Sequence, residues 1–131
     1  MPAANENPIV LVKGDFEIEA EESNMPKYLL ATTYTAEGLR GLAREGGTAR
    51  RAEVAGLCES MGGKLEAFYF TTGGDPHLYQ IADMPTPKAA WATLLAVGQT
   101  GTADVRVVEL VLPELIDDAA KMIPPYQAPG T

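Results

Sequence analysis

Residues 62–70 read GGKLEAFYF, and this stretch decides the fold. Its two glycines predict the end of a helix, because a glycine inside a helix costs roughly 1 kcal/mol relative to alanine. The mixed apolar and charged run that follows predicts a β-strand, whose side chains point alternately to opposite sides. One set is Leu65, Ala67 and Tyr69, and the other is Glu66, Phe68 and Phe70. The stretch therefore predicts a turn between a helix and a strand with apolar residues on both faces.

The rest of the sequence surrounds this strand with further elements. Runs of aromatic, β-branched and aliphatic residues predict three more strands, at 27–35, 77–83 and 105–112. Helices are predicted over 36–61 with a break at Gly46-Gly47, over 87–97 and, shorter, over 113–122. A Gly-Gly-Asp-Pro turn at 73–76 predicts a hairpin. The order is that of an α+β ferredoxin-like fold, a four-stranded antiparallel sheet with both main helices on one face.

The other face of such a sheet has no cover of its own. In an evenly alternating strand, Phe68 and Phe70 do not share the helix face with Leu65. We therefore place both phenylalanines on the uncovered face, where they form an apolar surface. A second subunit is the economical way to cover that surface, so the sequence predicts a homodimer or a higher homo-oligomer.

Length and composition indicate one domain with its own core. The chain has 131 residues, of which 46% are hydrophobic, so it needs neither disulfides nor metal for stability. Its single cysteine, Cys58, lies on the predicted inner stripe of a helix, which favours a buried, reduced thiol and a cytoplasmic location. Metal-ligand spacings, phosphate-binding loops and nucleophilic triads are absent from the sequence. We expect no metal and no bound cofactor.

The negative charge is concentrated at the start of the chain. The formal net charge is −8, and residues 1–24 hold six acidic residues against one lysine. Acidic character without a basic stripe predicts that neither nucleic acid nor an anionic membrane is a partner. We divide the chain into an acidic N-terminal extension, residues 1–24, and a domain at 25–131. Two interpretations of the extension stay open: a strand pairing with a sheet edge or a neighbouring subunit, and a disordered segment.

Four motifs resemble the GYD domain family of small bacterial proteins. They are YTAEG at 34–38, GGTARR at 46–51, GGKLEAFYF at 62–70 and the hairpin strand at 74–85. The resemblance implies a dimeric α/β barrel built from ferredoxin-like units. Where the family has Gly-x-Tyr-Asp, this chain has Gly74-Asp75-Pro76-His77, so the tyrosine and aspartate that give the family its name are absent. The family has no agreed activity, so the resemblance does not decide whether the protein is an enzyme.

Residues predicted on the uncovered face, together with Arg50 from the second helix segment, define a candidate substrate pocket. Its members are Thr32, Tyr34, Arg50, Phe68, Phe70 and Gln80. We place Gln80 there because an amide against the helix layer is costly unless it is hydrogen-bonded. His77 is the candidate general base, since its unperturbed charge changes near neutral pH, and an exposed turn histidine is the alternative. Tyr79 and Trp91 are predicted to be core residues.

These observations support two functions. The first is a cofactor-independent enzyme or a binder that takes a small aromatic or carbonyl compound in a sheet-lined cavity. The second is a non-catalytic oligomeric module whose acidic N-terminal extension contacts other proteins. A cavity with convergent polar groups favours the first function, and a sheet face fully packed by its partner favours the second.

Overall fold

Four strands and four helices make up the described part of the chain, residues 25–131 of a computed structural model. In chain order they are β1 (Lys27–Tyr34), α1 (Ala36–Glu45), α2 (Gly47–Ser60), β2 (Lys64–Phe70), β3 (Leu78–Asp83), α3 (Pro87–Gly98), β4 (Ala103–Leu110) and α4 (Pro113–Ala120). The strands form one antiparallel sheet in the order β2-β3-β1-β4. The fold is the predicted α+β ferredoxin-like fold. The predicted acidic extension, residues 1–24, lies outside the described residues.

The helices begin and break where the sequence indicated. Thr35 caps α1, its hydroxyl accepting a hydrogen bond from the Gly38 N–H at 3.2 Å. Thr86 caps α3 in the same way, accepting from the Ala89 N–H at 3.1 Å. Between α1 and α2, Gly46 has a φ of +88°, a conformation that glycine adopts without steric cost. The predicted interruption of the first helical region is therefore confirmed.

A β-bulge in β2 overturns the predicted facing of its side chains. Leu65 lies opposite Ala82 and Ala67 lies opposite Ile81, so Glu66 is an extra residue between two paired positions. One extra residue reverses the alternation beyond it.

As a result, Phe68 and Phe70 lie opposite Gln80 and Leu78, on the same side as Leu65. That side is the inner face, beneath the helices. The placement of Phe68, Phe70 and Gln80 on the uncovered face was wrong.

The core lies between the inner face and the helices. Tyr28 from β1, Ala82 from β3 and Met84 pack with Cys58 of α2 and Ala89 of α3. Cys58 is only 2% exposed, which confirms the predicted buried thiol. Each of these side chains comes from a position that the strand or helix period turns inward.

The outer side of the sheet is hereafter called the open face. It is apolar, but the residues that make it apolar differ from the predicted ones. Tyr69, Tyr79 and Val108 project from three different strands and are 73%, 42% and 45% exposed. At one end of this face, Lys27 Nζ lies 2.8 Å from Asp83 Oδ1 and also contacts the Glu66 carboxylate. The predicted core position of Tyr79 was wrong.

Two apolar regions outside the sheet are also exposed. Trp91 and Leu95 of α3 are 61% and 60% exposed, because the smaller side chains Ala89 and Thr93 form the buried stripe of that helix. The predicted core role of Trp91 was therefore wrong. Residues 111–131, which include α4, are exposed throughout. Within residues 25–131, the helices fall short of the length and apolarity that a membrane span requires.

Candidate functional site

A cavity of about 230 Å³ lies between the inner face of the sheet and helices α1, α2 and α3. Most of its wall is aliphatic, with a few polar side chains among these residues. The apolar wall includes Leu30, Leu42, Val54, Leu57, Leu78, Leu94 and Val97. The polar side chains on the wall include Thr32, Tyr34, Glu45, Arg50, Gln80 and Thr93. A mostly apolar concavity with few polar groups is the usual form of a small-molecule site.

Gln80 and Thr32 form the polar centre of the cavity. The two side chains are 6% and 3% exposed, and Gln80 Nε2 donates a hydrogen bond to Thr32 Oγ1 at 2.9 Å. Within residues 25–131, the carbonyl Oε1 of Gln80 has no side-chain or backbone partner. If the amide were turned over, its N–H groups would lack partners instead. In either orientation the amide presents a polar edge to the cavity, which water or a ligand can meet.

Tyr34 and Arg50 lie where the cavity approaches the surface. Arg50 makes a bidentate ion pair with Glu45, with Nη2 2.8 Å from Oε1 and Nε contacting Oε2. The pair joins α1 to α2 across the break at Gly46. Hydrogen bonding from Arg50 lowers the pKa of Glu45, so this carboxylate is ionised and engaged at neutral pH. It is therefore not a free base.

Burial raises the pKa of the Tyr34 phenol, although the charge of Arg50 works in the opposite direction. The hydroxyl is therefore protonated at neutral pH and serves as a hydrogen-bond donor. A donor at this end of the cavity suits a ligand that carries an acceptor oxygen.

The structure brings together four of the six predicted pocket residues. Thr32, Tyr34, Arg50 and Gln80 all line the cavity, on the helix side of the sheet. Phe68 and Phe70 share that side but lie beyond the cavity wall. Their rings contact each other edge to face, with centroids 5.4 Å apart, and Phe70 lies against Gly47 at the start of α2.

His77 lies outside the cavity wall and is held by backbone groups. The ring Nδ1 accepts a hydrogen bond from the Tyr34 backbone N–H at 2.9 Å. The backbone N–H of His77 donates to the Thr32 carbonyl, also at 2.9 Å. In a neutral imidazole whose Nδ1 is the acceptor, Nε2 carries the proton. The only acceptor nitrogen is therefore already in use, and the ring joins the start of β3 to the end of β1.

The sequence reasoning overlooked Thr93. Its hydroxyl donates to the Ala89 carbonyl at 3.0 Å, one helical turn earlier, and the side chain lines the cavity from α3. The signal was present in the sequence. Ala89, Thr93 and Val97 recur every four residues and mark the inner stripe, whereas Trp91 and Leu95 fall outside it.

A second, more polar concavity of about 560 Å³ lies on the open face beside the hairpin turn. Its wall includes Thr33, Asp75, Tyr79, Asp104 and Arg106. Within this wall the Thr33 hydroxyl donates to Asp75 Oδ1 at 2.8 Å. Among residues 25–131, no group of three or more His, Cys, Asp or Glu side chains is arranged to hold a metal ion.

We expect the stability of the fold to decline above about pH 9, where thiols and phenols begin to ionise. Burial raises the pKa values of Tyr28, Tyr34 and Cys58. Folding therefore favours their protonated forms. That stabilisation is fully present below the unfolded-state pKa and is lost as the pH rises through the folded-state pKa. Urea unfolding measured from about pH 9 to 11 should show a decline in the free energy of unfolding. This decline should be smaller in Tyr34→Phe. A free energy of unfolding that rises between about pH 9 and 11 would contradict the argument.

These features define the class of the protein: a ferredoxin-like domain with a small apolar cavity beneath its helices and an open sheet face opposite. Within this class the chain belongs to the GYD domain family, whose model matches residues 28–120. The match includes all the strands and helices that surround the cavity. It confirms the family resemblance of the motifs around GGKLEAFYF. Neither the curated proteins nor the solved structures include a significant match to the chain.

Proposed function

We propose that the protein binds a small carbonyl compound, aromatic or otherwise largely apolar, in the cavity beneath its helices. The observation that carries the proposal is the buried Gln80 and Thr32 pair within an otherwise aliphatic wall. A cavity that served only as a packing defect would need no buried amide, because an unmet polar group destabilises the fold. A ligand that forms a hydrogen bond with the amide removes this cost, and the free energy recovered contributes to binding.

The size of the cavity limits the ligand. An apolar cavity of roughly 150 Å³ holds benzene, and drug-sized sites begin at roughly 300 Å³. At about 230 Å³, this cavity accommodates a single ring with a short substituent. A nucleotide or another multi-ring compound would not fit.

The free edge of the Gln80 amide determines which polar group the ligand carries. One N–H remains after the bond to Thr32, and it donates to a ligand carbonyl oxygen. The carbonyl Oε1 accepts from an adjacent N–H or O–H of the same ligand. An amide or an enolised carbonyl presents both groups side by side, whereas a carboxylic acid does so only in its protonated form.

The geometry supports binding better than acid–base chemistry. Glu45 is engaged by Arg50, Tyr34 is held protonated, and the acceptor nitrogen of His77 is occupied. Glu37 and Arg44 also line the cavity, but Gln80 and Thr32, the buried polar side chains at its centre, offer hydrogen bonds and not acid–base chemistry. In this proposal His77 holds the fold together and is not a base.

The test compares three ring compounds of matched size: isopropylbenzene, acetophenone and benzamide. Isopropylbenzene has no hydrogen-bonding group, acetophenone has an acceptor, and benzamide has an acceptor beside a donor. One net hydrogen bond contributes about 1 kcal/mol, or roughly fivefold in affinity. We expect acetophenone to bind about fivefold more tightly than isopropylbenzene, and benzamide about fivefold more tightly again. Calorimetric titration and ligand-induced shifts in unfolding temperature measure this order.

Gln80→Leu should remove the preference among the three compounds while isopropylbenzene still binds. Gln99→Leu, at the exposed end of α3, is the matched control and should keep the preference. If none of the compounds binds, or if the order survives in Gln80→Leu, the proposal is wrong.

We also propose that two or more copies associate through the open face. The support is the set of exposed apolar side chains there, with Tyr69, Tyr79 and Val108 on three strands. The buried free thiol of Cys58 supports a cytoplasmic setting for this assembly. A protein-contact role for the acidic extension stays a prediction, because that segment lies outside the described residues.

A further inference from the structure

Residues 111–131, hereafter the arm, expose an unusual amount of apolar surface. Half of the large apolar side chains that are exposed within residues 25–131 belong to the arm. They are Val111, Leu112, Leu115, Ile116, Met122, Ile123 and Tyr126. Single exposed apolar residues are ordinary on a protein surface, but a contiguous set marks a contact.

A second uncovered apolar surface lies on the outer side of α3. Lys88, Trp91 and Leu95 follow helical spacing and form one stripe, hereafter the α3 stripe. Trp91 and Leu95 are 61% and 60% exposed. This stripe is on the helix side of the molecule, so an association through the open face would leave it uncovered.

The arm and the α3 stripe complement each other in apolar character and in charge. Leu112, the residue before α4, and Leu115 and Ile116 within α4 have the spacing that places apolar side chains on one side of a helix. Acidic residues occupy neighbouring positions of the same helix, at Glu114, Asp117 and Asp118. The α3 sequence contains no acidic residue, and its one charged side chain is Lys88, beside Trp91. An acidic amphipathic helix therefore fits this stripe.

Within one copy the two surfaces do not cover each other, because both are exposed in the same chain. A second copy carries an identical arm and an identical stripe. A symmetric exchange then covers both stripes and the apolar side of both α4 helices at once, as closed two-fold contacts do. We propose that the arm of each copy packs on the α3 stripe of a second copy. The exchange requires neither a bound ligand nor contact through the open face.

Trp91 reports on this contact directly, because it is the only tryptophan in the chain. A receiver chain carries Leu115→Asp and Ile116→Asp, so it keeps Trp91 but has a defective arm. A donor chain carries Trp91→Phe, so it keeps its arm but emits no tryptophan fluorescence. When the two are mixed, we expect the receiver's emission to shift to shorter wavelength and its quenching by acrylamide to fall.

Two controls isolate the role of the apolar side of α4. A donor that also carries Leu115→Asp and Ile116→Asp should produce no shift. A donor that instead carries Lys121→Asp has the same change in charge, outside the apolar side of α4, and should still produce the shift.

Three results would overturn the proposal. The first is the absence of a shift on mixing. The second is a receiver whose Trp91 is already shielded when alone, since another segment, such as residues 1–24, would then cover it. The third is a wild-type chain that sediments as a single copy while its Trp91 is shielded, which would mean that each arm packs on its own chain. Ligand binding in the cavity is measured separately in the receiver, so failure of the exchange leaves the proposed function standing.

Discussion

Replacing Gly63 by alanine is expected to destabilise the fold by about 3 kcal/mol or more, at the upper end of the cost of overpacking. A Cβ at this position would lie 2.2 Å from the Asp83 carbonyl oxygen and 2.9 Å from Met84 Sδ. The nearer atom belongs to the backbone of β3, so relief requires β2 and β3 to separate at the point where their pairing begins. Thermal unfolding followed by circular dichroism should show a fall of at least about 10 °C in the unfolding midpoint.

Gly56→Ala is the matched control for this prediction. Gly56 lies within α2, and a Cβ added there would have no neighbouring atom within 4 Å. Alanine loses less conformational entropy than glycine in a helix, so this variant should gain about 0.5–1 kcal/mol. If Gly63→Ala unfolds at the same temperature as Gly56→Ala, the close approach of β2 to β3 is not as described.

Tyr79→Glu is expected to convert the proposed open-face assembly into single copies. Tyr79 lies at the centre of the open face, opposite Ala31 and Tyr69 on the neighbouring strands, and is 42% exposed. In one copy a glutamate there is partly hydrated and costs little. At an interface the carboxylate would lose most of its hydration, and pairing with Arg106, which lines the same concavity, would offset only part of that cost. Because each 1.4 kcal/mol changes a dissociation constant tenfold, we expect it to rise by roughly a hundredfold or more.

Sedimentation velocity over a range of protein concentrations measures this change. Tyr79→Phe keeps the apolar ring and should assemble like the wild type. Circular dichroism of the glutamate variant shows whether the single copy is still folded. An unchanged dissociation constant in a folded Tyr79→Glu variant, or a wild type that is a single copy at all concentrations, would exclude the open face as the contact.

The order of elements could be predicted from the sequence because local signals set it. Thr35 and Thr86 are hydroxyl residues immediately before helical segments, and the adjacent glycines Gly46 and Gly47 together disfavour a continuous helix. The capping hydrogen bonds at both threonines confirm that reasoning. The buried position of Cys58 followed from helical spacing alone.

The facing of β2 could not be predicted in the same way. The bulge at Glu66 depends on which residues of β3 lie opposite, and that pairing is set by contacts distant in sequence. Strict alternation then placed Phe68 and Phe70 on the wrong side. Gln80 was misplaced for a related reason: the cost of burying an amide was counted without its hydrogen bond to Thr32.

The candidate site shows how these errors combine. Thr32, Tyr34, Arg50 and Gln80 line one cavity, because residues of adjacent strands and the nearest helix meet in this fold. The three sheet residues among them face the helices and not the uncovered side on which they were predicted. Trp91 was misplaced because aromatic character was weighed above the spacing of Ala89 and Thr93, which marks the inner stripe of α3.

The extra residue in β2 also limits how the length of this strand can vary during evolution. Glu66 allows Leu65 and the two phenylalanines to face the same way, and its carboxylate meets Lys27 beside Asp83. A one-residue deletion at this point would turn the preceding part of the strand over and remove a charge that links β2 to β1. Descendants of this chain should therefore tolerate substitutions in the strand far more readily than a change in its residue count.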